Sequence, residues 1–326
     1  RQMCIRDRIQ ILMSTYNGER YLKEQLDSIL EQDCKDKGIE CTLLVRDDGS
    51  KDGTKKILEE YAKKYSTQIE WYQGENKGVI QSFFELLQKA DDTVSYYAFA
   101  DQDDFWMPDK ISSGISSIQK LEQKEDGRPY LYCCKPMPVN EKLEELDSRI
   151  KRPVMRTGFG NALIENIVTG CTAVFNRTLR QMAIKELPEY TFMHDWWLYL
   201  IATCYGSVVY DETPHIKYRQ HGDNAVGNNV SLLHEFWDRL RLFQKKKHNA
   251  SRQVTEFLRI FDTDSFDTIK EGQTARVTEH LALAREMVQA RKHFMKRIRL
   301  LRKHKIYRQR KGDHRVFMLF LLIGMY

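Results

Sequence analysis

Three carboxylates stand within four residues at Asp101-Gln102-Asp103-Asp104, directly after the apolar run Val94 to Ala100 and just before Phe105-Trp106-Met107-Pro108. Like charges crowded in this way oppose one another's ionisation, so a folded chain tolerates them best beside a cation, and a divalent metal on oxygen ligands is such a cation. A metal that also carries a diphosphate stabilises it as a leaving group, which makes nucleotide-sugar chemistry the reading that the cluster suggests. A solvated turn or helix cap ahead of Pro108 is the plainer alternative.

Such a cluster needs elements that present it, and the upstream chain supplies them in a repeating pattern. Ile9 to Thr15 forms a short β-type run, followed by the turn signal Tyr16-Asn17-Gly18-Glu19 and a helix with an apolar stripe of Tyr21, Leu22, Leu26, Ile29 and Leu30. A second run, Cys41 to Val45, ends in Arg46-Asp47-Asp48-Gly49-Ser50-Lys51-Asp52-Gly53-Thr54 and leads into a helix through Ile57, Leu58, Tyr61 and Tyr65. A third strand around Ile69 to Tyr72 precedes Asn76-Lys77-Gly78 and a helix bearing Val79, Phe83, Phe84, Leu86 and Leu87, and the fourth strand delivers the acids. Alternation of this kind predicts an α/β fold, a mostly parallel sheet flanked by helices with ligands beyond the carboxyl ends of the strands. No G-x-G-x-x-G follows the first strand and no P-loop motif occurs, so ordinary dinucleotide and P-loop phosphate binding are disfavoured.

In order and spacing, Ser14-Thr15-Tyr16-Asn17-Gly18, Asp47 to Thr54, Asn76-Lys77-Gly78, Asp101 to Asp104 with Trp106 and Pro108, and His194-Asp195-Trp196-Trp197 resemble the motifs of a family-2 glycosyltransferase with the Rossmann-like GT-A fold. The resemblance covers residues 9 to 225, and Tyr218-Arg219-Gln220-His221-Gly222-Asp223-Asn224 is similar to bacterial rhamnosyltransferase-like members. It implies that Thr15, Tyr16 and Asn17 line a nucleotide pocket and that Asp47 or Asp48 accepts from the base, a task suited to a carboxylate because N3–H of uracil or thymine is a donor. An Asx-turn capping the next helix satisfies the same string. The acids resemble the family's D-x-D element, with Asp103 and Asp101 as metal ligands, Asp101 and Gln102 toward the nucleotide, and Asp104 bracing the loop. Hard oxygen ligands suit Mg2+ or Mn2+ alike.

Asp195 opens an apolar helix, where the dipole favours the ionised form and flanking aromatics dry the surroundings. The resemblance implies that it is the base that deprotonates the acceptor hydroxyl in an inverting, in-line displacement, with a simple N-cap as the alternative. His221, in a polar loop after an expected strand at 215 to 219, is a third metal ligand, a diphosphate contact or a surface histidine. Lys77 and Arg219 carry charge that suits phosphate, although long basic side chains are usually solvated. Gly170-Cys171-Thr172 resembles the segment closing the acceptor side, or marks tight strand packing. The expected activity is transfer of a sugar, dTDP-L-rhamnose favoured and a UDP-hexose open, to a hydroxyl of a surface polysaccharide or lipid-linked glycan. A nucleotidyltransferase would show a basic Gly-rich loop near the first strand. A non-catalytic glycan-binding or scaffold homologue would be expected to lack Asp103 or Asp195, and both are present.

Length and composition fit a catalytic core plus an appendage, with 326 residues of which 41% are hydrophobic. Seven cysteines without zinc-like spacing point to a reducing cytoplasm. Residues 231 to 326 hold 22 Lys and Arg against 10 Asp and Glu, which sets them apart as a basic extension. The expected division is 1 to 8 as a non-native or disordered leader without a signal-peptide core, 9 to 110 as the nucleotide half, 111 to 230 as the acceptor half, and 231 to 326 as helices. Those helices are expected at Leu232 to Phe243, Val254 to Phe261 and Thr274 to Gln309. The Pro-interrupted residues 135 to 165 are expected to carry acceptor specificity. The final apolar run Val316 to Tyr326 is too short to span a bilayer. Behind a basic helix it suits the cytoplasmic membrane surface, or docking on the core with the basic face solvated. No nucleic-acid module accompanies the charge.

Overall fold

In a computed structural model, residues 7–125, 127–146, 153–220, 249–262 and 274–326 are described. They fall into two compact units, one of residues 1–151, 168–187 and 193–221, the other of 152–167, 188–192 and 222–326.

The first unit opens with β1 (Asp7–Thr15), α1 (Leu22–Leu30), β2 (Ile39–Asp47), α2 (Thr54–Lys64), β3 (Ile69–Gln73), α3 (Val79–Lys89) and β4 (Tyr96–Ala100). β1 starts two residues before the apolar run because Asp7 and Arg8 pair with Ile39 and Glu40, and Arg8 also forms an ion pair with Glu40. Asp7 and Arg8, expected within the leader, are therefore strand residues, and residues 1–6 lie outside the described residues. Then come β5 (Phe105–Trp106), α4 (Lys110–Glu122), β6 (Tyr130–Cys134), β7 (Met137–Val139), a 3-10 turn (Gly170–Thr172), β8 (Val174–Asn176), α6 (Arg177–Lys185), α7 (His194–Tyr205), β9 (Ser207–Asp211) and β10 (Ile216–Arg219), while α5 (Phe159–Ala162) lies in the second unit.

Seven strands form one sheet in the order β3-β2-β1-β4-β8-β6-β9, and β5-β10-β7 form a small second sheet. β3, β2, β1 and β4 are parallel, β8 is antiparallel to its neighbours, and β9 is parallel to β6. The chain runs outward from β1 to β3 and returns to place β4 on the other side of β1, which makes β1 the switch point where ligands of such sheets bind. Register aligns Thr15 with Asp47, Asp47 with Gln73, and Met13 with Ala100, so the four following loops share one edge. All five residues of β4 are buried, as expected of a central strand covered on both faces. α1 buries Leu22, Leu26 and Ile29 at helical spacing, whereas α7 is buried nearly all round. Cys34 and Cys41 form a disulfide between the end of the α1 segment and β2, a pair that the sequence did not suggest, and Cys133, Cys134, Cys171 and Cys204 are buried free thiols.

The second unit packs α5 with helices Asn249–Phe261, Thr274–Ala290, Phe294–Arg302 and Lys311–Ile323. Phe159 meets the rings of Phe257 and His280, and Phe257 stacks on Phe261. The helix expected from Thr274 to Gln309 is two helices, because the Arg297 guanidinium donates to the carbonyls of Ala290 and Arg291 and satisfies a chain break there. The helix expected at Leu232 to Phe243 lies outside the described residues.

Candidate active site

The loops after β1 and β2 are built on one another. Thr15 donates its hydroxyl to Asp47 Oδ1 at 3.2 Å, Asp48 N–H donates to the Thr15 carbonyl at 2.7 Å, and Ser50 N–H donates to Asp47 Oδ2 at 2.9 Å. Asn17 adopts φ 48°, a left-handed conformation that Asn tolerates, while its N–H donates to Ser50 Oγ and its Oδ1 accepts from Lys51 N–H, both at 2.9 Å. Gln102 reaches across from the β4 loop to accept from Tyr16 N–H at 2.8 Å and donate to the Tyr16 carbonyl at 3.0 Å. That side chain ties the two loops together as a strand neighbour would, leaving the Tyr16 residue 44% exposed.

Asp48 belongs to a buried network. It accepts from Arg46 and from the N–H groups of Lys77 and Gly78, each of the latter at 2.9 Å. Burial opposes its ionisation, but those donors outweigh burial and hold the carboxyl below its usual range. Arg46 also bonds Glu85 at 2.7 Å, and Lys77 Nζ pairs with the same carboxylate at 2.5 Å. The charge of Lys77 is thus already balanced by Glu85, and its main-chain N–H braces Asp48.

In the acid cluster, Asp101, Asp104 and Cys171 bring a carboxylate oxygen each and a thiol within 4.8 Å of one another. Burial first, then the charge of Asp103, pushes Asp101 up to about 7. Burial, then Asp101 and Asp103, pushes Asp104 up as well. Asp104 Oδ1 accepts from Arg219 N–H at 3.3 Å, whereas its buried Oδ2 has no hydrogen-bond partner. Raised carboxyls and an orphaned oxygen fit a divalent cation on hard ligands; the Cys171 thiol, driven well above its ordinary pKa by burial, does not suit such a cation. Asp103 is half-buried and lies outside this group of three. Lys110, first residue of α4, places its ammonium 3.4 Å from the Trp106 ring centre with no hydrogen-bond partner. Burial lowers it to about 8, against the acids and thiols that hold its proton on.

Arg219 does not present a free charge to phosphate. Its fully buried guanidinium donates to the Asp103 carbonyl at 2.8 Å, to the Glu141 carbonyl, and to Glu24 Oε2 at 2.6 Å, and lies over the Tyr21 ring. The side chain is a clamp on the acid loop. His221 lies outside the described residues.

Asp195 stands in the first turn of α7, buried, with Oδ1 accepting from Trp196 N–H at 2.6 Å. His194 beside it is sandwiched, stacked 4.0 Å from Phe83 and edge-on to Phe99, with neither ring nitrogen hydrogen-bonded. Burial lowers its pKa to about 3, so it is a neutral neighbour of Asp195. Gly170 packs against both: a Cβ there would lie 3.0 Å from His194 Nε2 and 3.5 Å from Asp195 Oδ2. Cys171, the next residue, brings its thiol within 4.8 Å of a carboxylate oxygen of both Asp101 and Asp104. One turn, with Cα atoms about 3.8 Å apart, therefore abuts both acid groups. The residues themselves stood in the motifs read from the sequence, but the place of the Cys171 thiol beside the acids, the ring sandwich around His194 and the Arg219 clamp did not, because the partners lie far along the chain.

Residues 10–187 match the model of glycosyl transferase family 2. The dTDP-rhamnosyl transferase RfbG of Shigella flexneri is 30% identical over 264 residues, covering 78% of this chain and 86% of that protein. An uncharacterized glycosyltransferase of Rickettsia prowazekii is 28% identical over 251 residues, 73% of this chain and 72% of that one. Among solved structures, the mannosyltransferase PcManGT from Pyrobaculum calidifontis in complex with GDP-Man and Mn2+ superposes with TM-score 0.50 at 18% identity, covering 98% of this chain and 86% of that one. GalNAc-T7 with UDP, GalNAc and Mn2+ gives TM-score 0.52 at 12% identity, with 84% and 55% covered. These likenesses in structure concern the fold, the sheet flanked by helices described above.

Proposed function

The chain belongs to glycosyl transferase family 2, and from that premise we propose that it moves L-rhamnose from dTDP-L-rhamnose to a hydroxyl of a cell-surface polysaccharide or lipid-linked glycan precursor, with inversion, at the cytoplasmic face of the membrane. The donor is the one for which the Shigella flexneri relative is named. The observation that carries the reading is the Gly170–Thr172 turn, whose consecutive residues abut Asp195 on one side and Asp101 with Asp104 on the other. A displacement needs that arrangement, with a base near the attacking hydroxyl and charge compensation near the departing diphosphate.

Thr15, Asn17 and Asp47 form the floor of the nucleoside pocket, Tyr16 offers an exposed ring to the base, and Gln102 fixes the Tyr16 main chain against the acid loop. Asp48 and Lys77 support that pocket from within their ion-pair network. Asp101 and Asp103, joined by Asp104, would hold Mg2+ or Mn2+, which when bound supplies positive charge to the leaving diphosphate. Asp195 takes the proton of the acceptor hydroxyl as that oxygen bonds to the anomeric carbon and the bond from carbon to the diphosphate oxygen breaks. The neutral His194 adds no positive charge that would weaken Asp195 as a base. The catalytic region spans residues 9 to 230, and the helices after it serve attachment rather than chemistry.

Calorimetric titration with dTDP and UDP, with Mn2+ or with EDTA, tests the donor site. We expect dTDP to bind tighter, only with metal, and the binding to be lost in Asp103→Ala. Tighter UDP binding reassigns the donor to a UDP-hexose, and no binding by folded protein supports a glycan-binding or scaffold role. Asp195→Asn is expected to abolish transfer with nucleotide affinity retained.

A further inference from the structure

We infer that an exposed face in the helical unit, made by the first turn of helix Phe294–Arg302 and the outer side of helix Lys311–Ile323, docks on an anionic lipid surface. The inference deepens, and rests on, the reading that the protein works at a membrane. The final apolar run does not act as one tip: Phe317, Phe320, Leu321 and Tyr326 are buried, and Tyr326 is fastened through its hydroxyl to the Met287 carbonyl at 2.6 Å. What remains outside is Leu319 and Ile323, each 52% exposed. Lys311, Arg315, Leu319 and Ile323 succeed one another at four-residue steps and are all exposed, so they form one stripe that is basic at its start and apolar at its end.

The second helix brings matching side chains to the apolar end. Arg297 donates to the Leu322 carbonyl at 3.2 Å and packs over Gly324, where the left-handed backbone ends the helix and an added Cβ would collide with the guanidinium. That contact sets the start of helix Phe294–Arg302 against the end of helix Lys311–Ile323. Phe294 and Met295, in that starting turn, are 56% and 72% exposed.

The charges nearby are sorted. From residue 291 to the end, the sequence holds 12 Lys and Arg against one Asp. Lys303, Lys305 and Arg308 pair with Glu286, Glu279 and Glu165. Among the described residues, Lys292, Arg299, Arg302, Lys311 and Arg315 are exposed and have no acidic partner. Four exposed apolar side chains set among unpaired cations complement lipid phosphates outside and acyl chains within. No helix among the described residues is long and apolar enough to cross a membrane, so this face would lie on the surface.

The test is co-sedimentation of the full chain with phosphatidylcholine vesicles, and with vesicles that also contain phosphatidylglycerol, at low and high salt. The wild type should pellet with the anionic vesicles alone and be released by salt. Phe294→Ser with Met295→Ser, and separately Arg299→Gln with Arg302→Gln, should each lower the partition about tenfold at an unchanged denaturation midpoint, since the replaced side chains are exposed. Wild-type binding that both variants retain would overturn this face while leaving the membrane reading intact. Absence of wild-type binding to either vesicle would overturn both. A wild-type dimer that the Phe294→Ser, Met295→Ser variant dissociates, without vesicle binding, would reassign the face to a second copy of the chain.

Discussion

Replacing Arg219 with Ala separates a structural clamp from a phosphate ligand. The guanidinium is fully buried and satisfies the carbonyls of Asp103 and Glu141 together with Glu24. Removing it leaves two part-buried main-chain oxygens without this donor, at roughly 1–1.5 kcal/mol each, the low end for groups that solvent partly reaches. The Glu24 side chain is 55% exposed, so its ion pair adds at most about 1 kcal/mol after screening. Loss of the stacking on Tyr21 at 4.2 Å adds about 0.5–1 kcal/mol. The sum is about 2.5–5 kcal/mol, which at a urea dependence of about 2–3 kcal/mol per molar moves the midpoint down by roughly 1–2.5 M. Arg219→Lys keeps the charge without the planar fork and should recover less than half of the loss. Urea denaturation followed by dTDP titration is the assay. The clamp predicts a large drop in midpoint, with affinity falling because the acid loop loses its brace. An unchanged midpoint with nucleotide affinity cut tenfold or more would refute this account and return Arg219 to the diphosphate.

Two further outcomes follow from the neighbourhood of Asp195. The unfolded chain protonates His194 below its ordinary 6.5, while the folded protein resists until about 3. Its contribution is therefore complete above 6.5 and is lost as pH falls toward 3, by about 1.4 kcal/mol per pH unit. His194→Phe should remove that slope, and stability curves of wild type and variant that run parallel between about pH 7 and 4.5 would show that the imidazole is not held neutral. Gly170→Val should displace the His194 and Asp195 side chains that the glycine now admits, lowering transfer about a hundredfold while leaving nucleotide affinity nearly unchanged; equal activity would mean that the turn yields without moving the acid.

The alternation of β1, α1, β2, α2, β3, α3 and β4 was legible because each apolar period is local and each turn carries its own Gly, Asn or Asp. Hence the parallel sheet and the placement of Thr15, Asp47 and Asp101 at strand ends were readable before any coordinates. The seven-strand order was not, since β8 enters between β4 and β6 from more than 70 residues along the chain. In the C-terminal helices the apolar letters were plain, but not which of them face inward: Phe317 and Leu319 are alike in sequence and opposite in burial.

The sequence by itself determined the α/β alternation, the acids at Asp101 to Asp104 and Asp195, and the basic extension, all of which depend on neighbouring residue types. Only the tertiary structure decided which groups meet. Asp104 lies with Cys171, Arg219 spends its donors on Asp103, Glu141 and Glu24, and Gly170 admits His194 and Asp195. These contacts span tens to nearly two hundred residues, and their partners are selected by burial, which demands that each enclosed charge or polar atom be answered by whatever the fold brings within about 3 Å.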